Sequence, residues 1–479
     1  MGAAVAAVTR VSAFALLLGA VFGTLVTLQP ISDSDLFWHL ATGARALAGD
    51  LPRVDTFSWT IAGAPVLTDQ WLGDLFLAAA RSVGDWRGVL LLRAVAVAAL
   101  VTLIVDTALV SRPGRPIVAV AAALPAIALS RFAWTDRPEL FGLVCFALMV
   151  RLLRGGDRGL LWSPVLLFIW SQLHGSYALG LALVLATCAA RALGEERERW
   201  RFAPIASFAV LATLLTPSGL GTWTSSGGQF LAPPRFVAEW SAPDPRTLPG
   251  MLFAITLALV VATAMTARRA TLREAAILVP VAFVALTAER FTPLLAIAAS
   301  PYLASRWPDA LARWRSADRS DGATEGPRGA GDPIAAERWG ARRREGFGRA
   351  VAAALGVAAL AIAVGLADAK VDESGYPRAA LASLPSGPGL LNQYDWGGYL
   401  IYFAPQTPVF IDGRQFPYLP AVLDDYRAIV GAHPGWSETA ERRGVRAILV
   451  RPTDPIAVRA PERGWRVAYA DAIAIVLTR

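Results

Sequence analysis

Residues 11–40, "VSAFALLLGAVFGTLVTLQPISDSDLFWHL", decide the fold: an unbroken apolar run passes directly into an acidic pair and then an amphipathic segment. The run has Arg10 before it and no small-x-small cleavage pattern after it, so it reads as a retained first membrane span rather than a cleaved signal peptide. Asp33 and Asp35 then stand at the membrane boundary, where a carboxylate is costly unless it faces protein or water.

The remainder of the chain agrees with a membrane origin for that run. Of 479 residues, 55% are hydrophobic and only 17% are charged, which is too apolar for a soluble globular protein. Further apolar runs lie at 88–110, 116–131, 139–153, 160–173, 176–192, 203–217, 249–266, 274–288, 291–304 and 350–367, making about eleven with the first. The stretch 71–83 is short and carries Asp74 and Arg81, so it reads as a helix lying along the interface. With that assignment and a cytoplasmic N-terminus, the arginine clusters at 112–115, 151–158, 191–201, 268–273 and 305–349 all fall inside. The net charge of +8 is therefore topology charge, and nucleic acid is excluded as a partner. Cys145 and Cys188 sit inside apolar runs and supply neither a disulfide framework nor a metal site.

The predicted fold is an all-α polytopic membrane protein of about eleven transmembrane helices with a small C-terminal extracytoplasmic α/β domain. The membrane module occupies 1–304 and includes a first outside loop at 31–87. Residues 305–349, rich in Gly, Asp, Arg and Ser, read as a basic, partly disordered cytoplasmic linker. A last span at 350–368 leads to the outside domain, 369–479. There the β-like runs "TPVFID" (407–412), "VRAILV" (445–450) and "AIAIVL" (472–477) alternate with helical patterns at 419–430 and 437–444.

Under this topology the unusual polar residues sort to one side: Asp33, Asp35, His39, Asp55 and Asp69 in the first loop, then Asp136, Arg137 and Glu139, His174, Glu239, and Glu289 with Arg290. Ionisable groups at several outer helix ends predict a shared polar cavity. Each has a plainer alternative. Asp33 suits a helix cap, Arg137 a pairing with Asp136 or Glu139, Arg290 a pairing with Glu289, and His174 a helix-end histidine. Gly397 and Gly398 suit a tight turn before a buried helix, with "VFIDGRQFPY" (409–418) a strand and its loop.

A first span ending in an acidic pair, a long first outside loop, many further spans and a terminal outside domain resemble the GT-C superfamily of membrane glycosyltransferases. The segments "SDSDLFWHL", "RPELF", "WSQLHGSYALG", "AERFTPL" and "YDWGGYLIYF" also look like the landmarks of a group of bacterial membrane proteins. The resemblance implies transfer of a sugar from a polyprenyl-phosphate donor to an envelope glycan, lipid or protein acceptor, at the outer half of a bacterial cytoplasmic (inner) membrane. It makes Asp33 or Asp35 the base and Arg137 and Arg290 the donor-phosphate clamps, since a phosphate leaves without a general acid. His39, His174, Asp69 and Glu239 are expected to support the site. No cofactor is required; some members of the superfamily use a divalent metal, and Mg²⁺ or Mn²⁺ would then fall to Asp33, Asp35, His39 and His174. "NQYDWGGYLIYF" (392–403) is similar to the W-W-D-Y-G signature of oligosaccharyltransferases, which places Asp395, and further on Asp412 and Arg414, on an acceptor side. Two other classes fit a polar outer cavity: a transporter or flippase of a lipid-linked or anionic substrate, and a GT-C-like scaffold without catalysis.

Overall fold

The computed structural model describes residues 11–67, 69–194, 200–231, 238–266, 271–317 and 335–479. Helix α1 (Ala13–Val26) begins where the Ser12 hydroxyl accepts the Ala15 N–H, and it ends at Thr27. A loop carrying the acidic pair leads into α2 (Leu36–Leu47), and a long loop into α3 (Trp71–Ser111). Asp85, with φ of 53°, breaks α3 into a segment before it and an apolar segment after it.

Then follow α4 (Pro116–Ser130), α5 (Pro138–Arg154), α6 (Ser163–Leu173), α7 (Tyr177–Gly194), α8 (Ala203–Leu214), α9 (Leu220–Leu231), α10 (Leu248–Thr266), α11 (Leu272–Thr287), α12 (Thr292–Ala317) and α13 (Ala335–Leu366). Each of the eleven apolar runs read as candidate spans is helical over most of its length, and α9, which is polar, adds a helix that hydropathy does not mark. Among the described residues, five helices are long and apolar enough to cross a membrane, with three shorter apolar ones. The chain is therefore a multi-pass membrane protein, but length alone does not reach eleven crossings. With 14 residues, α1 spans about 21 Å at 1.5 Å per residue, short of a hydrocarbon core of about 30 Å.

Helix α12 continues to Ala317 and α13 starts at Ala335, so both flanks of the linker expected at 305–349 are helical; 318–334 lie outside the described residues. The arginine clusters at 191–201 and 268–273 likewise fall partly outside them.

The C-terminal domain is built on a four-stranded sheet: β1 (Leu390–Asn392), β2 (Ala447–Val450), β3 (Arg466–Ala470) and β4 (Ile475–Thr478), in the order β1-β2-β4-β3. Strands β1 and β2 are parallel and the other pairs antiparallel. Side chains alternate between two cores, as a strand period of two dictates. Leu391, Ile448, Val450 and Leu477 face the helices around Ile429 and Trp436. Leu390, Ala447, Leu449 and Val476 face a second core that contains Phe37 of α2 with Trp396 and Tyr399. Phe37 thus pins the sheet to the membrane module.

Two expectations for this domain change. "TPVFID" is not a strand: Val409 makes one isolated bridge with Ser58, and the segment is instead gripped by Asn392, whose Oδ1 accepts the Phe410 N–H at 2.7 Å and whose Nδ2 donates to Ile411 O at 2.8 Å. Gly397 and Gly398 do not make a turn. They open the helix α14 (Gly397–Phe403), and a Cβ there would collide with the backbone of Ile411, Asp412 and Ser34. Their smallness brings the first loop and the 411–412 segment together.

Candidate functional site

A cavity of about 400 Å³ lies where the first loop, the starts of α5 and α12, α9 and the C-terminal domain meet. Asp35, His39, Asp69, Arg137, His174, Glu239, Arg290 and Arg414 line it, although they are drawn from six separate parts of the sequence. Asp33 lies just behind this wall. Asp412 is fully buried beneath Arg414, and Asp395 sits elsewhere, in a separate cavity of about 310 Å³ with Arg451 and Trp396.

Of the acidic pair, Asp33 makes a cap-type contact at the entry to α2 and Asp35 does not. Asp33 Oδ1 accepts the Asp35 N–H at 3.0 Å, and the Asp35 side chain makes no cap hydrogen bond to α2. Both carboxylates also meet Arg137: Nε is 2.9 Å from Asp33 Oδ2 and Nη1 is 3.1 Å from Asp35 Oδ2. Burial raises the Asp35 pKa, and the neighbouring Asp33 adds to this while Arg137 opposes it. The backbone at Gly413 passes so close to the Asp35 carboxylate that a Cβ there would overlap it.

Arg137 also approaches Glu139 at 3.6 Å and Glu239 at 3.8 Å. Burial disfavours its charge, yet Asp33, Glu139, Asp35 and Glu239 together hold its pKa well above the usual guanidinium value. Asp136, its neighbour, turns away and receives Arg93 Nη1 at 2.8 Å. Arg93 is 4% exposed and also donates to the carbonyls of Val26, Gln29 and Pro30, so it closes the end of α1. Burial pushes Asp136 up to about 7 against the pull of Arg93. Arg290 pairs not with adjacent Glu289 but with Glu239 at 3.0 Å and Glu139 at 3.3 Å, and lies 4.5 Å from the Trp240 ring centroid.

The histidines have separate partners. His39 Nδ1 is 2.6 Å from Asp74 Oδ1, with Asp74 2% exposed, so the segment of α3 before Asp85 turns this carboxylate inward. His174 Nδ1 accepts the Ser176 N–H at 3.2 Å. Burial drives His39 down to about 3 and His174 to about 4, and both are neutral near pH 7. Asp69 accepts the Ser225 hydroxyl at 2.9 Å and is raised by burial to about 6. Arg414 pairs with Asp412 and Asp55, each at 2.6 Å, and Tyr418 donates to Asp412.

The expected metal set does not fit a metal as arranged. Asp33 and Asp35 face Arg137, His39 faces Asp74 and His174 faces Ser176, and among the described residues no three His, Cys, Asp or Glu side chains stand in a ligating group. Asp74, Arg93 and Gly413 were not anticipated at the site, and Glu139 was anticipated only as one of the ionisable groups at outer helix ends. Asp74 and Arg93 carried a signal, since an ionisable residue inside an apolar stretch is rare without a purpose. Gly413 carried none.

No family model and no curated protein matches the chain. Solved structures do. The archaeal oligosaccharyltransferase AglB from Archaeoglobus fulgidus, in complex with an inhibitory peptide and a dolichol-phosphate, superposes with a TM-score of 0.54 at 11% identity, over 91% of this chain and 69% of that one. The Archaeoglobus fulgidus oligosaccharyltransferase tethered to an acceptor peptide gives 0.53 at 12% identity over the same shares. This chain therefore shares the overall fold of those proteins.

Proposed function

We propose that the chain is an integral membrane glycosyltransferase that transfers a sugar from a polyprenyl-phosphate-linked donor to a cell-envelope acceptor, on the extracytoplasmic side of a bacterial cytoplasmic membrane. The observation that carries this is the convergence of Asp35, Arg137 and Arg290 on one cavity in a chain whose fold matches an oligosaccharyltransferase bound to dolichol-phosphate. The cavity volume suits a sugar.

Asp35, rather than Asp33, is the base, because it lines the cavity while Asp33 buttresses it through the Asp35 N–H and Arg137 Nε. A carboxylate with a raised pKa holds a proton better near neutral pH. The acceptor O–H attacks the anomeric carbon, its proton passes to Asp35, the new C–O bond forms, and the bond to phosphate breaks with its electron pair on the polyprenyl phosphate. Arg290 meets that phosphate, exchanging one of its carboxylate contacts for it, whereas Arg137 has its Nε and Nη1 committed to the acidic pair. Neutral His39 and His174 line the walls without charge. Arg414 and Gly413 bring the C-terminal domain over the base from the acceptor side.

The test is Asp35→Asn in cells, with normal membrane levels checked by blotting and envelope glycans read by mass spectrometry. Loss of one glycan species supports the proposal; an unchanged envelope at full expression refutes it.

A further inference from the structure

Four carboxylates from three distant segments share one guanidinium. Arg137 meets Asp33 and Asp35 of the first loop at 2.9 and 3.1 Å, Glu139 at the start of α5 at 3.6 Å, and Glu239 from the turn before α10 at 3.8 Å. Such a cluster is unstable without a cation in its midst. A hard divalent ion is one solution, because it takes carboxylate oxygens at about 2.0–2.6 Å. A guanidinium is the other, with its planar fork giving several N–H donors in fixed directions. Here the fork stands between the carboxylates. Arg137 Nε also reaches Thr135 Oγ1 at 3.3 Å, and Asp136 next to it is locked by Arg93, so the side chain is built into the wall.

We propose that Arg137 is the resident counter-ion of this cluster, standing where a divalent cation would otherwise sit among Asp33, Asp35, Glu139 and Glu239. The protein as it exists therefore takes up no such ion there, and a chain lacking the guanidinium gains a site for one. Arg290 does not fill the same role, since of these four carboxylates it pairs with Glu139 and Glu239. With Arg137 gone, the two aspartates lose their shared cation, and four negative charges face one positive charge. This inference rests on the geometry of the cluster and not on glycosyl transfer.

The test uses the full chain in lipid nanodiscs and Mn²⁺ alone, with bound ion read by electron paramagnetic resonance. Wild-type protein is expected to show no stoichiometric Mn²⁺, and Arg137→Gln to bind one ion at least about tenfold more tightly. The gain should vanish in Arg137→Gln/Asp35→Asn. One Mn²⁺ per wild-type chain, lost in Asp35→Asn, overturns the proposal, and so does a folded Arg137→Gln that binds no more than wild type. Should Arg137→Gln fail to fold, the wild-type titration with its Asp35→Asn control decides alone. Failure here leaves the glycan test of Asp35 untouched, and the reverse also holds.

Discussion

Gly413→Ala is a one-carbon perturbation aimed at the proposed base. Gly413 does not have the left-handed backbone that favours glycine, so an alanine there costs no conformational strain, and the effect is steric. Its Cβ would overlap Asp35 Oδ1 and stand 2.9 Å from Asp35 Cγ. A carbon–carbon contact relaxes at about 3.5–4.0 Å, so the carboxyl carbon must withdraw by about 0.6–1.1 Å, or the loop must lift it by that amount. Displacement of a reacting group by about 1 Å costs on the order of 10²-fold in rate. The assay is formation of the glycan product in membranes from cells with equal protein levels, alongside thermal unfolding of the purified chain. Gly84→Ala is the control, because a Cβ there meets nothing. Wild-type product formation by Gly413→Ala, with unaltered folding, would refute the placement of Asp35 as the base against this loop.

Three further outcomes are expected. Arg93→Met strands Asp136 in the interior and should destabilise the fold by about 3–5 kcal/mol, with Arg93→Met/Asp136→Asn regaining part of it in thermal unfolding. Asp69 binds its proton more tightly folded, at about 6, than unfolded, at 3.8, so its contribution is fully present below pH 3.8 and is lost as pH rises to about 6. That slope, about 3 kcal/mol in total, should disappear in Asp69→Asn; equal pH slopes in the two proteins would contradict it. Because His39 and His174 titrate near 3 and 4, activity between pH 5 and 8 should carry no histidine inflection, and one near 6.5 that His174→Gln abolishes would be incompatible with their burial.

Much of the site was legible because membrane burial makes ionisable residues conspicuous. Asp35, Arg137, His174 and Arg290 stand out beside apolar helices, and a single polar cavity follows from the cost of leaving each in lipid. Pairing was not legible. Arg137 and Asp136 are neighbours in sequence yet face different partners, and Arg290 bypasses Glu289 for residues 51 and 151 positions away. Such choices depend on how the helix ends are set against each other, which no local pattern encodes. The sheet was half-legible for a related reason: β2 and β4 are apolar runs, whereas three-residue β1 is too short to show a period and β3 is largely exposed. The partner of Asp74 was not legible either, because polarity within a short apolar helix does not say which side chain meets it, and here it is His39.

The most direct measurement is a structure of the full chain in lipid with a short-chain polyprenyl monophosphate. The phosphate should lie within hydrogen-bond distance of Arg290, inside the cavity faced by Asp35, with the prenyl chain running out into the bilayer. Phosphate density outside that cavity, or unchanged affinity in Arg290→Gln measured on the same preparation, would contradict the account.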